Sequence, residues 1–198
     1  DTITVPSGAT FAVSGTMNAS SITAGTLAVA RGGTGTTSYS PGVTMLDQWA
    51  CSANQDFSAD TATLITGSWF DYGTTDSGGN IGSAMTESSG IFTFPSTGVY
   101  AIDWVIQIQG AAGTNDAVIV YMYVTTNDST YTDVNDPGGF FGDAGDRFPF
   151  TGHFALDVTD TSNVKIKFNA YSETVGAQIA GDGNRMRTGV TFTRLGDT

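Results

Sequence analysis

The stretch that decides the fold is Gly90-Ile-Phe-Thr-Phe-Pro-Ser-Thr-Gly-Val-Tyr-Ala-Ile-Asp-Trp-Val-Ile-Gln-Ile-Gln109. Its bulky apolar residues recur at every second position, which is the period of a β-strand with one buried face. Pro95 to Gly98 supplies the residues of a tight turn. The pattern predicts two strands separated by this turn. The residues that share a face are Phe92 and Phe94 in the first strand, and Tyr100, Ile102 and Trp104 in the second.

Similar alternation continues on the C-terminal side of this stretch. Asp- and Gly-rich loops separate the further predicted strands, and helix-favouring residues are scarce, with Glu only at 87 and 173 and Lys only at 165 and 167. Several strands at this spacing predict an all-β sandwich or jelly roll. The further predicted strands are Ala117–Thr125, Phe148–Val158, Val164–Tyr171 and Thr188–Leu195.

Three segments resemble the C1q/TNF-like jelly-roll family. Residues 90–100 are similar to its "G-x-F-x-x-P-x-x-G-x-Y" signature, residues 154–158 and 163–168 look like its late strand pair, and residues 189–195 look like its closing strand. The resemblance implies threefold assembly, with the chain ends gathered near the base of the trimer. The long loops around 73–90 and 126–147 depart from the family, so no partner is carried over. The positions that the resemblance marks as fold-defining are Phe92, Phe94, Gly98, Tyr100 and Phe192.

Residues 1–41 differ in composition from residues 42–198, and we predict a separate N-terminal segment. Its apolar residues come as alternating doublets such as Ile3/Val5 and Leu27/Val29, separated by small residues. So little apolar surface does not offset the entropy of ordering, about 1–2 kcal/mol per residue. We predict an extended β stalk that is ordered by intertwining with two other copies, followed by a 42–198 head. A loose linker is the alternative.

The stalk ends in Leu27-Ala-Val-Ala-Arg-Gly-Gly-Thr-Gly-Thr-Thr37, where Gly32, Gly33 and Gly35 form a predicted joint because glycine tolerates positive φ. This stretch resembles an "LAVARGGTG"-like motif of bacteriophage tail fibres. The resemblance implies a virion fibre at the surface of an extracellular particle, with other virion proteins at its N-terminal end.

Charge and hydropathy exclude several classes of protein. With 7 basic and 19 acidic residues the formal net charge is −12, which argues against nucleic acid as a partner. No apolar run reaches the roughly 20 residues of a membrane-spanning helix, so no membrane insertion is expected.

Catalytic and metal-binding candidates are few. His153, the only histidine, is predicted to be a structural or surface residue, and Cys51 a buried apolar one, so no enzymatic activity and no cofactor are expected. Paired carboxylates of a glycosidase stay open as an alternative, because Asp is plentiful. Among the Asp/Gly loops, Asp143 and Asp146 are candidate ligands for a structural Ca²⁺, although solvated turns explain them equally well.

The remaining candidates are recognition residues. Tyr131, Phe140 and Phe141 lie beside predicted turns and can stack on sugars or bind protein, or else anchor loops. Arg185 and Arg187 would point to one side of an extended segment, where they can pair with acidic groups of a ligand or with neighbouring carboxylates across the trimer interface.

From these features we predict a homotrimeric virion fibre whose head loops, at 126–147 and 173–187, attach to a glycan or protein on the host surface. The alternatives are a capsid decoration or head fibre without a role in host recognition, and a secreted bacterial C1q-like adhesin.

Overall fold

The computed structural model of the chain describes residues 6–10, 42–75, 78–110, 116–141, 145–173 and 176–198, with the backbone alone at 116 and 141. The chain divides into two units, Asp1–Pro41 and Gly42–Thr198. In the first unit, Ala9 N donates to Pro6 O at 3.0 Å and closes a turn. The rest of the predicted stalk, and the joint at Gly32, Gly33 and Gly35, lie outside the described residues.

The described part of the second unit consists of strands, connecting turns and one short 3-10 turn at Tyr72–Thr74. The strands are β1 (Leu46–Cys51), β2 (Gln55–Asp56), β3 (Thr63–Leu64), β4 (Trp69–Asp71), β5 (Thr86–Ser88), β6 (Ile91–Thr93), β7 (Gly98–Gln109), β8 (Asp116–Thr125), β9 (Thr132–Asn135), β10 (Gly138–Phe141), β11 (Arg147–Val158), β12 (Lys165–Ser172), β13 (Gln178–Ile179) and β14 (Gly189–Gly196).

These strands form two antiparallel sheets. In sheet A, β7 pairs with β11 along one edge and with β14 and β13 along the other; β14 continues to β1 and β4, and β13 pairs with β2. In sheet B, β8 pairs with β12 along one edge and with β9 and β10 along the other; β12 continues to β6 and β5, and also pairs with β3. The predicted all-β jelly roll is confirmed, with no helix in the described ranges long and apolar enough to span a bilayer.

Aromatic rings from both sheets fill the core between them. The ring of Phe92 on β6 lies 5.4 Å from that of Phe192 on β14 and 5.2 Å from that of Trp69, measured between centroids. The rings of Phe94 and Tyr100 also contact each other, and their centroids are 4.8 Å apart. All four predicted fold-defining aromatics are 0–2% exposed. Burying an aromatic ring is worth about 1.5–3 kcal/mol, so this cluster is a main source of stability.

The predicted turn at Pro95–Gly98 carries the chain from sheet B to sheet A. Tyr100 Oη donates to Ser96 O at 2.9 Å and holds the turn against the core. Gly98 has φ +141°, and a Cβ there would lie 2.5 Å from Gly196 O, so a side chain is excluded both by conformation and by space. The turn therefore joins the two layers of the sandwich and does not form a hairpin.

Two predicted loops contain strands. The 126–147 segment includes β9 and β10, which extend sheet B beside β8, and the 73–90 segment includes β5. The four strands predicted after residue 110 are confirmed as β8, β11, β12 and β14, each with ends within one residue of the prediction. The two strands that resemble the family's late strand pair do not pair with each other, because β11 belongs to sheet A and β12 to sheet B.

Candidate functional site

The two residues considered for catalysis occupy different environments. Cys51 is fully buried on β1, as predicted, and desolvation followed by the charge of Glu87 raises the pKa of its thiol. His153 lies on the surface of β11, where its Nδ1 is 2.7 Å from Asp103 Oδ1 on the adjacent strand β7. Both side chains of this pair are more than half exposed, at 63% and 58%. The pair adjoins a shallow depression of about 520 Å³ that Trp104, Thr151 and Gly152 also line.

The candidate calcium ligands cannot be placed together. Asp143 lies outside the described residues, and Asp146 lies just before β11, where its carbonyl oxygen accepts from Gly110 N at 2.8 Å. In the described ranges, no three His, Cys, Asp or Glu side chains are grouped as metal ligands would be. A structural Ca²⁺ in this loop stays an untested alternative to solvated turns.

The two candidate arginines precede β14 in sheet A. They do not lie in an extended segment: the chain turns here, with Arg187 N donating to Arg185 O at 3.0 Å. The guanidinium of Arg187 pairs with the carboxylate of Asp182 at 3.0 Å within the same loop. This contact lies within one chain, so pairing of these arginines with carboxylates across a trimer interface stays a prediction.

Tyr131 and Phe140 lie on the face of sheet B that points away from the core. Phe140 is opposite Ala117 at the start of β8 and is 67% exposed. Tyr131 follows the other end of β8, where its ring lies under the ammonium group of Lys167, 4.1 Å from the centroid. Phe141 ends β10, and its side chain is outside the described residues. The structure thus places two predicted recognition residues at opposite ends of one sheet face.

Between them lies a row of tyrosines. The core-facing residues of β8 are Val118, Val120, Met122 and Val124, all buried, so Tyr121 and Tyr123 face outwards. Their rings lie 5.8 Å apart at an interplanar angle of 36°. On the neighbouring strand β12, Tyr171 and Lys167 also face outwards, since their neighbours Ala170, Phe168 and Ile166 are buried. We define the tyrosine face as Tyr121, Tyr123, Tyr131, Tyr171, Lys167 and Phe140.

Burial, followed by the carboxylate of Asp133, raises the pKa of Tyr121 and of Tyr123. Tyr171 Oη donates to Asp60 Oδ1 at 3.0 Å. This hydrogen bond is the largest of the effects that raise the pKa of Tyr171. The phenols of this face are therefore neutral hydrogen-bond donors at physiological pH.

Sequence reasoning missed most of this face. Tyr121 and Tyr123 were not among its recognition candidates, and here they face away from the core. The signal was present in the alternation of Val118, Val120 and Met122 with the tyrosines: the purely apolar set faces the core, and the set with hydroxyl groups faces out.

The outward face of sheet A has a different chemistry. Apolar and uncharged side chains occupy most of it, including Val99, Ala101, Val105, Gln48 and Thr191. In its central part the ionisable side chains are Asp103 and His153, which pair with each other. Strand β11, twelve residues long, has a hydrogen-bonded neighbour on one side only among the described strands. A long strand edge next to a face with few charged side chains is suited to covering by another chain.

No protein-family model matches the chain, and no curated protein matches it by sequence. Solved structures do match. The Eiger TNF structure from S. frugiperda superposes with a TM-score of 0.58 at 11% identity, covering 79% of this chain and 95% of that one. A structure of murine APRIL at pH 5.0 gives 0.51 at 11% identity, covering 76% and 98%. Identities this low establish the fold alone. The second unit, Gly42–Thr198, has a TNF-like jelly-roll fold.

Proposed function

We propose that the chain is a trimeric virion fibre whose jelly-roll head attaches the particle to the host surface. The TNF-like fold of the head supports this, because the family resemblance implies threefold assembly. The phage-fibre motif at residues 27–35 supports a virion location, with other virion proteins bound at the N-terminal end and the head outside the particle.

The observation that carries the proposal is the outward face of sheet A, where several uncharged side chains are only partly buried by the described part of the chain. A side chain such as Val105 is only partly buried there, whereas its neighbours Trp104 and Ile106 are core residues at 3% and 0% exposure. Burying apolar surface contributes about 25 cal/mol per Å², so packing this face against another copy stabilises an assembly. In a closed threefold assembly, this face of every copy is covered by a neighbouring copy.

Trimer formation is tested by charging this face and, as a control, the opposite one. The test uses residues 42–198, because the predicted stalk would hold copies together by itself. Val105→Glu buries a carboxylate in the proposed interface, and light scattering after gel filtration should give the mass of a single chain. Ile119→Glu makes the same change at a half-buried position on the outward face of sheet B and should leave a mass three times larger. A wild-type protein of single-chain mass refutes the trimer, and equal masses for the two variants refute the choice of interface.

The virion role is tested by location. Antibodies against the purified chain are applied to virus particles from a producing culture and viewed by immunogold electron microscopy. Labelling of tail tips, together with competition by the free protein for adsorption to cells, supports the host-attachment fibre. Labelling of the capsid without competition favours a decoration protein, and labelling of bacterial surfaces alone favours a secreted adhesin.

A further inference from the structure

The tyrosine face follows strand β8, which lies in sheet B between β12 on one side and β9 and β10 on the other. From Ala117, opposite Phe140, to Thr125, near Tyr131, it spans about 26 Å at roughly 3.3 Å per residue. Four of the seven tyrosines of the chain lie here, with both of its lysines beside them. A strip of this length accommodates several sugar rings of an extended chain.

The rings are held in place before any ligand arrives. The tilted rings of Tyr121 and Tyr123 contact each other, Lys167 lies over Tyr131 and 5.5 Å from the Tyr123 ring centroid, and Tyr171 is hydrogen-bonded to Asp60. A tyrosine has only two side-chain torsions, and these contacts restrict them further. Little conformational entropy is lost when such rings are covered, which favours binding.

Polar groups accompany the rings. Within the described structure, Tyr131 Oη and Asn169 Oδ1 are buried and lack a hydrogen-bond partner. Asn169 lies on β12 directly opposite Tyr121, and its Nδ2 already donates to Ala62 O at 3.0 Å. Tyr131 Oη and Asn169 Oδ1 both lie beneath the surface and out of a ligand's reach, so the polar groups that this face offers to a ligand are the hydroxyls of Tyr121 and Tyr123.

Charge decides the kind of ligand. Lys165 is bound to Asp128 at 2.5 Å, Asp133 lies opposite Tyr123, and Asp60 accepts from Tyr171. The positive groups are thus balanced by carboxylates, on a chain of net charge −12 that repels polyanions. Flat rings with hydrogen-bonding groups at their rims and no net positive charge complement an uncharged polyhydroxylated ligand.

We propose that the tyrosine face binds uncharged hexose polysaccharide, with the rings of Tyr121 and Tyr123 as the stacking platform and their hydroxyl groups as hydrogen-bonding groups. This inference rests on the proposed attachment function and names its ligand class. It places binding on a sheet face, and not in the loops around 173–187.

The test is native gel electrophoresis of the full chain in gels containing dextran, mannan or galactan as neutral probes, and polygalacturonate as an acidic one. We expect at least one neutral polysaccharide to retard the wild type and polygalacturonate to leave it unaffected. Tyr121→Ala should raise the Kd for that polysaccharide about tenfold or more, the loss typical of a central aromatic contact. The matched control is Tyr72→Ala, which removes a half-exposed tyrosine from the Phe70–Tyr72 ring pair (5.9 Å) and should change the Kd less than twofold.

No retardation by any neutral polysaccharide, equal retardation by polygalacturonate, or equal losses in the two variants overturns the inference. So does a Tyr121→Ala protein of altered oligomeric mass, since the face would then be an interface between copies. If cell binding depends on Tyr121 and is lost on protease treatment of the cells, the ligand is a protein and the glycan assignment is wrong.

Failure of the ligand class and failure of the function give different results. A chain that labels virus particles and competes for adsorption, yet binds no neutral polysaccharide, retains its attachment function without this site. A chain that binds a neutral polysaccharide through Tyr121 but is absent from particles retains the site without the virion role.

Discussion

Gly152 on β11 is the position where a single methyl group should disturb the core most directly. It lies opposite Trp104 on β7, and the indole ring extends across the space that a side chain would fill. A Cβ at Gly152 would be 2.4 Å from Trp104 Cε2 and Cζ2, whereas ordinary contact begins near 3.4 Å. The ring must therefore move by about 1 Å, but Trp104 is 3% exposed and already packs on Phe168, 5.7 Å away.

Forcing extra volume into a packed core costs about 1–3 kcal/mol. For a domain of this size each kcal/mol lowers the melting temperature by roughly 2–4 °C, so Gly152→Ala should melt about 2–12 °C below the wild type. The assay is thermal unfolding followed by circular dichroism at one protein concentration, because an oligomer's melting temperature depends on concentration.

Gly139→Ala is the matched control. It is also a strand glycine changed to alanine, but its Cβ would meet the Phe150 ring at 3.4 Å, an ordinary contact. It should melt with the wild type or slightly above, since replacing glycine in a strand reduces the entropy lost on folding. Adding Trp104→Phe to Gly152→Ala should recover part of the loss, because the smaller ring leaves room for the methyl group. If Gly152→Ala melts together with Gly139→Ala, the close approach of the indole to β11 is wrong.

Two further predictions concern pH and metal. Asp47 is buried, accepts hydrogen bonds from Trp49 Nε1 (2.9 Å) and Met85 N (2.6 Å), and has its pKa raised by desolvation. Its stabilising contribution is fully present below the unfolded pKa of about 3.8 and is lost as pH rises through the higher folded pKa. The melting temperature of Asp47→Asn minus that of the wild type should therefore increase from pH 3.5 to pH 7, and a constant difference would contradict this. Addition of EDTA should leave the wild-type melting temperature unchanged; a fall that CaCl₂ reverses would instead favour calcium near Asp143 and Asp146.

The sequence predicts individual strands better than it predicts their partners. Period-two alternation places β8, β11, β12 and β14 within a residue of their ends, because each carries a continuous row of apolar residues. It does not predict β9 or β10, since their few residues are mostly polar or glycine and become strands only by pairing with β8. That pairing is tertiary information.

The candidate site shows the same limit. Alternation establishes that Tyr121 and Tyr123 share a face, but a tyrosine fits a core and a surface almost equally well. Tyr171 and Lys167 lie beside them only because β12 pairs with β8 in this register. The paired positions are about 40 to 50 residues apart in the chain, so the sequence alone does not show that they are neighbours. Tyr131 and Phe140 were found from their positions beside turns, and that local signal says nothing about the face they share.

The pairing of β1 with β14 has a consequence for synthesis in the cell. Leu46 lies opposite Thr193, so the strand near the start of the head is completed by one at its end. Ribosomes add about 5–20 residues per second, so β1 waits several seconds before its partner is made. Sheet A can close only after β14 has left the ribosomal exit tunnel, and nascent heads on neighbouring ribosomes then carry unpaired strand edges side by side. Protection of these edges during that interval, for example by a chaperone, is therefore expected from this one antiparallel pair.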